Sequence, residues 1–281
     1  MGLGSNQQTI TTGAVFIPEV WSKELQRATE SNLVAARLVK RFDADVQNAG
    51  QILHIPKISN LSANVKTANA QVTFQSPTET KIDLTINKSY EASFLIEDDL
   101  AIEAAYRIQE EYKEKMAYAL AKKVDTDVLG LYTNLSQTVG TSGVPLSDDS
   151  FRRALQYLDD ADAPAQDRAF IMRPSCKNAL LGIDKYVNQD FTGMGDVPVK
   201  TGLFGQRYGV LFYVSTNIPL DGSSNPINLL IQKEVFAAAL QKNITLKSDY
   251  VIDYLSQAYV AQVLYGVITY RATFGVQVFS N

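Results

Sequence analysis

Residues 51–94, QILHIPKISNLSANVKTANAQVTFQSPTETKIDLTINKSYEASF, decide the reading of this chain. The first arm is apolar on both sides near its base, where Leu53 and Ile55 alternate with Ile52, His54 and Pro56. The return arm alternates cleanly: Ile82, Leu84 and Ile86 point one way, Lys81, Asp83, Thr85 and Asn87 the other. Between them, residues 60–77 hold mostly Ser, Asn, Ala, Thr and Gln, with isolated Val65, Val72 and Phe74. That composition has too little apolar surface to fold alone, and isolated two-stranded hairpins are marginal in water. An alternating arm with no partner leaves an apolar stripe and strand edges in solvent. The tip is then either disordered in the monomer or laid on another chain, and the second reading is favoured: a long ribbon that rests on a second chain.

The ribbon runs into a helical pattern of about 35 residues, 98–132, roughly 50 Å long at the α-helical rise. Glu97, Asp98 and Asp99 cap its start and match its dipole. Ala105, Ile108, Tyr112, Met116, Leu120, Val124 and Val128 lie on one broad face, and no proline interrupts it. Such a bar is longer than a compact domain of this size requires.

Working outward, residues 1–13 lack an apolar period and read as mobile. Pro18 opens a helix at its first turn, and Val20, Trp21, Leu25 and Ala28 form its stripe. A second short helical run covers residues 32–40. Trp21, the single tryptophan, packs either on its own core or on a neighbouring subunit, where tryptophan is favoured. After the bar, Gly140, Gly143 and Pro145 mark the entrance to a second module. There Ser147 caps a helix through Leu158, residues 168–172 read as a strand and 174–183 as a short helix. Residues 184–206 read as a glycine-bearing loop, 208–215 and 227–232 as strands, and 233–240 as a helix. The β-rich tail, 244–279, returns to pack beside the long helix.

The bulk numbers set limits. The 281 residues suffice for one large or two modest cores. With 26 basic and 30 acidic residues, net charge −4, and basic residues scattered, tight nucleic-acid binding is disfavoured. The single cysteine, Cys176, rules out an intramolecular disulfide and suits a reducing cytosol. No apolar run approaches the roughly 18 residues of a membrane span, and the N-terminus lacks a signal-peptide pattern. Catalytic chemistry is scarce. His54 is the single histidine and has no nucleophile or orienting group beside it in sequence, so it reads as a structural or interface residue. Cys176 reads as a buried, inert thiol. One His and one Cys leave no ordinary zinc set. Asp125 and Asp127 point to different helix faces, and Asp159, Asp160 and Asp162 read as a solvated helix end. The glycine pairs Gly193/Gly195 and Gly202/Gly205 match neither phosphate-binding pattern. We expect no cofactor and no enzyme.

The order of elements, together with four stretches, carries a resemblance. These are Phe16-Ile17-Pro18-Glu19-Val20-Trp21-Ser22, Gly50-Gln51-Ile52-Leu53-His54-Ile55-Pro56, Ser93-Phe94-Leu95-Ile96-Glu97-Asp98 and Lys123-Val124-Asp125-Thr126-Asp127-Val128-Leu129. Across essentially the whole chain the arrangement resembles the major capsid proteins of tailed bacteriophages. The resemblance implies an α+β, HK97-like capsid fold: an N-terminal arm (1–48), an extended E-loop hairpin (49–94), a peripheral domain with a long spine helix (95–137 and 244–281), and an inserted axial domain (138–243). It implies a homo-oligomer, pentamers and hexamers of an icosahedral phage head that encloses double-stranded DNA without reading its sequence. Portal and scaffolding proteins are the implied partners; no membrane is. The chain opens almost at the arm, without the charged scaffolding segment of some relatives, which implies a separate scaffolding protein or assembly without one. No residue matches securely the Lys–Asn cross-link of other members, although Lys57 and Lys66 lie in the hairpin. Trp21, Lys66, Val72, Phe74, Ile82, Leu84 and Ile86 are the expected intersubunit contacts. A bacterial nanocompartment shell of the encapsulin type shares the fold and is the alternative.

Overall fold

The computed structural model describes residues 33–46, 50–59, 61–69, 71–72, 74–97, 108–187 and 205–281. Trp21 and the helix expected around it lie outside the described residues, as does the 98–107 portion of the expected helical pattern.

The chain enters through a 3-10 turn, Ala35–Arg37, followed by β1 (Lys40–Arg41) and a single helical turn, α1 (Asp43–Val46). This replaces the helical run expected over 32–40. Lys40 and Arg41 pair instead with a distant strand at Ala237 and Ala238, a pairing no local pattern announces. Next come the hairpin strands β2 (Ile52–Ile58) and β3 (Glu79–Thr85), then β4 (Lys88–Glu97). The long helix α2 (Ile108–Leu129) follows, 22 residues or roughly 33 Å as described, and tightens into a 3-10 turn at Gly130–Asn134.

The inserted module contains β5 (Gln137–Gly140), α3 (Asp148–Asp160), β6 (Arg168–Met172), α4 (Pro174–Leu181), α5 (Asp184–Val187), β7 (Gln206–Arg207), β8 (Val210–Val214) and β9 (Ile227–Gln232). Ser147 caps α3 by accepting the Ser150 amide at 3.2 Å, and Pro174 starts α4, as the sequence indicates. Two long strands, β10 (Phe236–Val251) and β11 (Ser256–Thr269), and the terminal β12 (Gly275–Phe279) complete the chain. The helix expected over 233–240 is thus the start of β10. Phe236, Ala237, Ala238 and Ala239 are buried on both faces of that strand. Alanine's helical preference is a weak prior that sheet burial overrides.

Two sheets organise the body. The first has the order β1-β10-β11-β4, with β10, β11 and β4 antiparallel. Its inner face meets α2 through Met116, Leu120 and Val124 against Tyr259, Val263 and Tyr265. The β-rich tail therefore does return beside the helix. The second has the order β5-β12-β9-β6-β8-β7, with β6 and β9 buried along their whole length. Phe151, Phe170 and Phe212 lie at its core, with ring centroids 5.2–5.5 Å apart. The sheets divide the chain at points other than those read from sequence. Residues 236–243 belong to the first sheet, and 275–279 to the second, where β12 lies between β5 and β9.

Candidate functional site

The hairpin is bound to its own body at the root. Leu53, Ile55, Ile82, Leu84 and Ile86 form one apolar face, which packs on Val46, Ala237 and Ala239 and on Leu264, Ile268 and Tyr270. Leu84 is 0% exposed and Ile86 4%. The approach is close enough that a Cβ on Gly266 stands 2.3 Å from the Thr85 carbonyl oxygen, so only glycine fits there. This corrects the expectation for Leu84 and Ile86, and in large part for Ile82. Their stripe is consumed inside the chain, because the outer face of β10 and β11 offers it alanines and a glycine to lie on.

Beyond Ile58 the ribbon leaves the body. Ile58, Leu61, Val65, Val72 and Phe74 are exposed, Val65 at 96% and Phe74 at 89%. No regular strand forms among the described residues of this tip. The two sides are held by Gln75, whose side-chain oxygen accepts the Ser62 amide at 3.0 Å and whose amide donates to the Ser62 carbonyl at 2.5 Å. Thr78 N donates to Ser59 Oγ. Side-chain clips thus keep an outstretched shape that the tip's few apolar groups do not. Lys66 is exposed there, with its ammonium on the Thr67 carbonyl at 2.9 Å. Where the ribbon departs, Lys57, Ile58 and Ile82 face the turn Tyr270–Phe274 across a cleft of about 370 Å³.

A second apolar projection escaped the sequence reading. β10 and β11 join through a 3-10 turn, Ile252–Tyr254. Ile252, Tyr254 and Leu255 are all largely exposed, Ile252 at 76%. Leu255 adopts φ +45°, a left-handed conformation unusual for a large side chain. No Gly, Pro or Asn marks this turn; Asp253, alone among apolar neighbours, is its single polar signal.

The titratable residues singled out in the sequence serve structure. His54 sits opposite Asp83 in the hairpin register, its Nδ1 2.5 Å from the carboxylate, with Lys81 3.4 Å from the other oxygen. The His54 hydrogen bond is the main reason that the Asp83 carboxyl lies below its ordinary range. Cys176 is buried and its thiol is pushed up to about 12, chiefly by desolvation. Asp159 accepts Arg168 Nη1 at 2.7 Å. Asp125 and Asp127 are each filled by protein donors. Asp125 is buried and accepts the Ala36 amide at 3.1 Å and the Asn217 side-chain amide at 3.0 Å. Asp127 accepts Lys88 and Lys123, each at 2.8 Å, and the Tyr265 hydroxyl at 2.9 Å. Burial raises its pKa, but those three donors outweigh it and hold the carboxyl below its ordinary value. No cluster of three or more metal-type ligands exists among the described residues. No helix among them is long and apolar enough to cross a membrane.

No protein-family model matches the chain, and no curated protein matches it by sequence. Solved structures do. A chain from Mycobacterium phage Che8 superposes with a TM-score of 0.80 at 23% identity, over 94% of this chain and 97% of that one. A chain of the cyanophage P-SCSP1u capsid gives 0.81 at 16% identity, over 100% and 97%. A chain of the mature capsid of bacteriophage PhiM1 gives 0.75 at 13% identity, over 94% and 92%. The fold is therefore the HK97-type fold of phage capsid chains, and the superpositions cover 94–100% of this chain.

Proposed function

We propose that this chain is the structural subunit of a viral shell, one that self-assembles into an icosahedral phage head around double-stranded DNA. One observation carries the reading. A fold shared over nearly its full length with capsid chains also projects a ribbon of exposed apolar groups that its own body does not cover. Exposed Val65, Val72 and Phe74 gain burial against a neighbour, each worth on the order of 1.5–3 kcal/mol if fully covered. The sum over many neighbours closes a shell from individually weak contacts. Lys66, and Trp21 in the arm, are further proposed contacts, and the projection at Ile252–Leu255 joins them as a second apolar surface.

The function is mechanical. The residues that suggested chemistry in the sequence are engaged with the protein itself, which supports a non-enzymatic role. A net charge of −4 suits a container that holds DNA without adhering to it. Portal and scaffolding proteins, and synthesis in the host cytoplasm, belong to the same proposal. The test is deletion of residues 60–77, read by sedimentation and negative-stain electron microscopy. The proposal predicts a folded subunit that no longer forms closed particles. Normal particles from the deletion variant would remove the clamp role from the hairpin.

A further inference from the structure

Asp125 and Asp127 are two residues apart on α2, about 200° around the helix, so they face opposite sides. Their partners come from every part of the chain that must be aimed. On one side, Asp125 takes the amide of Ala36, in the turn where the arm enters the body, and the side chain of Asn217, which follows β8 of the inserted module. The intervening Thr126 hydroxyl lies 2.8 Å from the Lys122 carbonyl and 3.1 Å from Asn217 Oδ1, so its one proton is shared between a helix carbonyl and the Asn217 side chain that Asp125 also holds. On the other side, Asp127 takes Lys88, which opens β4 just after the hairpin, and Tyr265 of β11.

Burial attaches these parts: Val34, Ala35 and Val39 hold the arm root, Leu84 and Ile86 the hairpin root. Apolar burial is non-directional, however, and fixes the angle of an element less sharply than a directed contact does. Hydrogen bonds with ionised acceptors are short and directional. The charges differ in kind as well. Asp127 balances two ammonium groups, whereas the Asp125 oxygens take a backbone amide and a side-chain amide.

We propose that Asp125, Thr126 and Asp127 form a pin in the long helix that sets the directions in which the arm, the inserted module and the hairpin leave the subunit. They are positioning residues for assembly, and this role rests on the shell reading above. Asp127→Asn or Lys88→Met removes the charge that holds the hairpin root. Asp125→Asn replaces an acceptor with a donor, so either Ala36 N or the Asn217 amide loses its partner.

The test measures angles rather than stability. Nitroxide pairs are placed at Lys57→Cys with Lys122→Cys, for the hairpin, and at Arg37→Cys with Arg153→Cys, for the arm root and inserted module. All four positions are exposed, and buried Cys176 does not compete for the label. Labelled full-length chain is diluted into an excess of unlabelled chain, so that pulsed electron-spin distances are those within one subunit, assembled or not. The pin predicts one narrow distance population for each pair in the parent protein. Asp127→Asn and Lys88→Met abolish the single hairpin population and leave the arm pair unchanged; Asp125→Asn does the reverse. Asn217→Ser serves in place of Asp125→Asn if that variant fails to fold. Unchanged distributions in all variants overturn the proposal, and so does equal broadening of both pairs, which marks general loosening. Electron microscopy of the parent protein judges the shell reading separately, since particle formation does not enter the distance result.

Discussion

Leu84 and Phe74 sit ten residues apart in one ribbon, and their surroundings are opposite. Leu84 is fully buried against β10 and β11, whereas Phe74 is 89% exposed. Leu84→Ala should therefore lower subunit stability by about 2–5 kcal/mol, the usual cost of a core cavity, seen as an earlier urea midpoint. Phe74→Ser should leave that midpoint unchanged and weaken assembly alone. From sequence both are expected at intersubunit contacts, Phe74 as an isolated apolar residue of the tip and Leu84 as part of the alternating return arm. What separates them is Gly266, over 180 positions away, which lets Thr85 approach and so buries one end of the stripe. Asp127 supplies a pH prediction. Its carboxyl is held below the ordinary 3.8, so it contributes stability above that pH and loses it as pH falls through the folded-state value. The difference in melting temperature between the parent and Asp127→Asn should accordingly shrink below pH 3.8. A difference that persists undiminished in stronger acid contradicts the assignment.

At the scale of elements, strong periodicity was legible and tertiary choice was not. The long helix, the α3 cap at Ser147, and strands 168–172 and 227–232 follow from local pattern. The alanine-rich start of β10 does not, because burial between two neighbouring strands overrides helical preference. The turn at Ile252–Tyr254 is hidden by its apolar composition, and so is the projection it creates. That projection yields its own prediction. Replacing Ile252, Tyr254 and Leu255 together by Ser changes only largely exposed side chains, so circular dichroism and thermal melting should stay close to the parent. Particle yield should fall. A drop in melting temperature with normal yield shows instead that these groups serve the subunit's own fold.

For the whole molecule, the order of elements was the readable quantity: ribbon, bar, inserted module, β-rich return. Domain limits were less so, since β12 crosses back into the inserted module's sheet between β5 and β9. No local signal tells a terminal strand which of two sheets it completes. The resulting body supports its projections without exhausting their apolar surface, and on that the account turns. Sedimentation velocity of the purified full chain, with negative-stain images of the same sample, tests it most directly. The account predicts a discrete fast-sedimenting species seen as closed spherical shells, converted to folded single subunits by Val65→Ser with Phe74→Ser. A parent chain that stays monomeric at high concentration, or that builds open tubes, contradicts it.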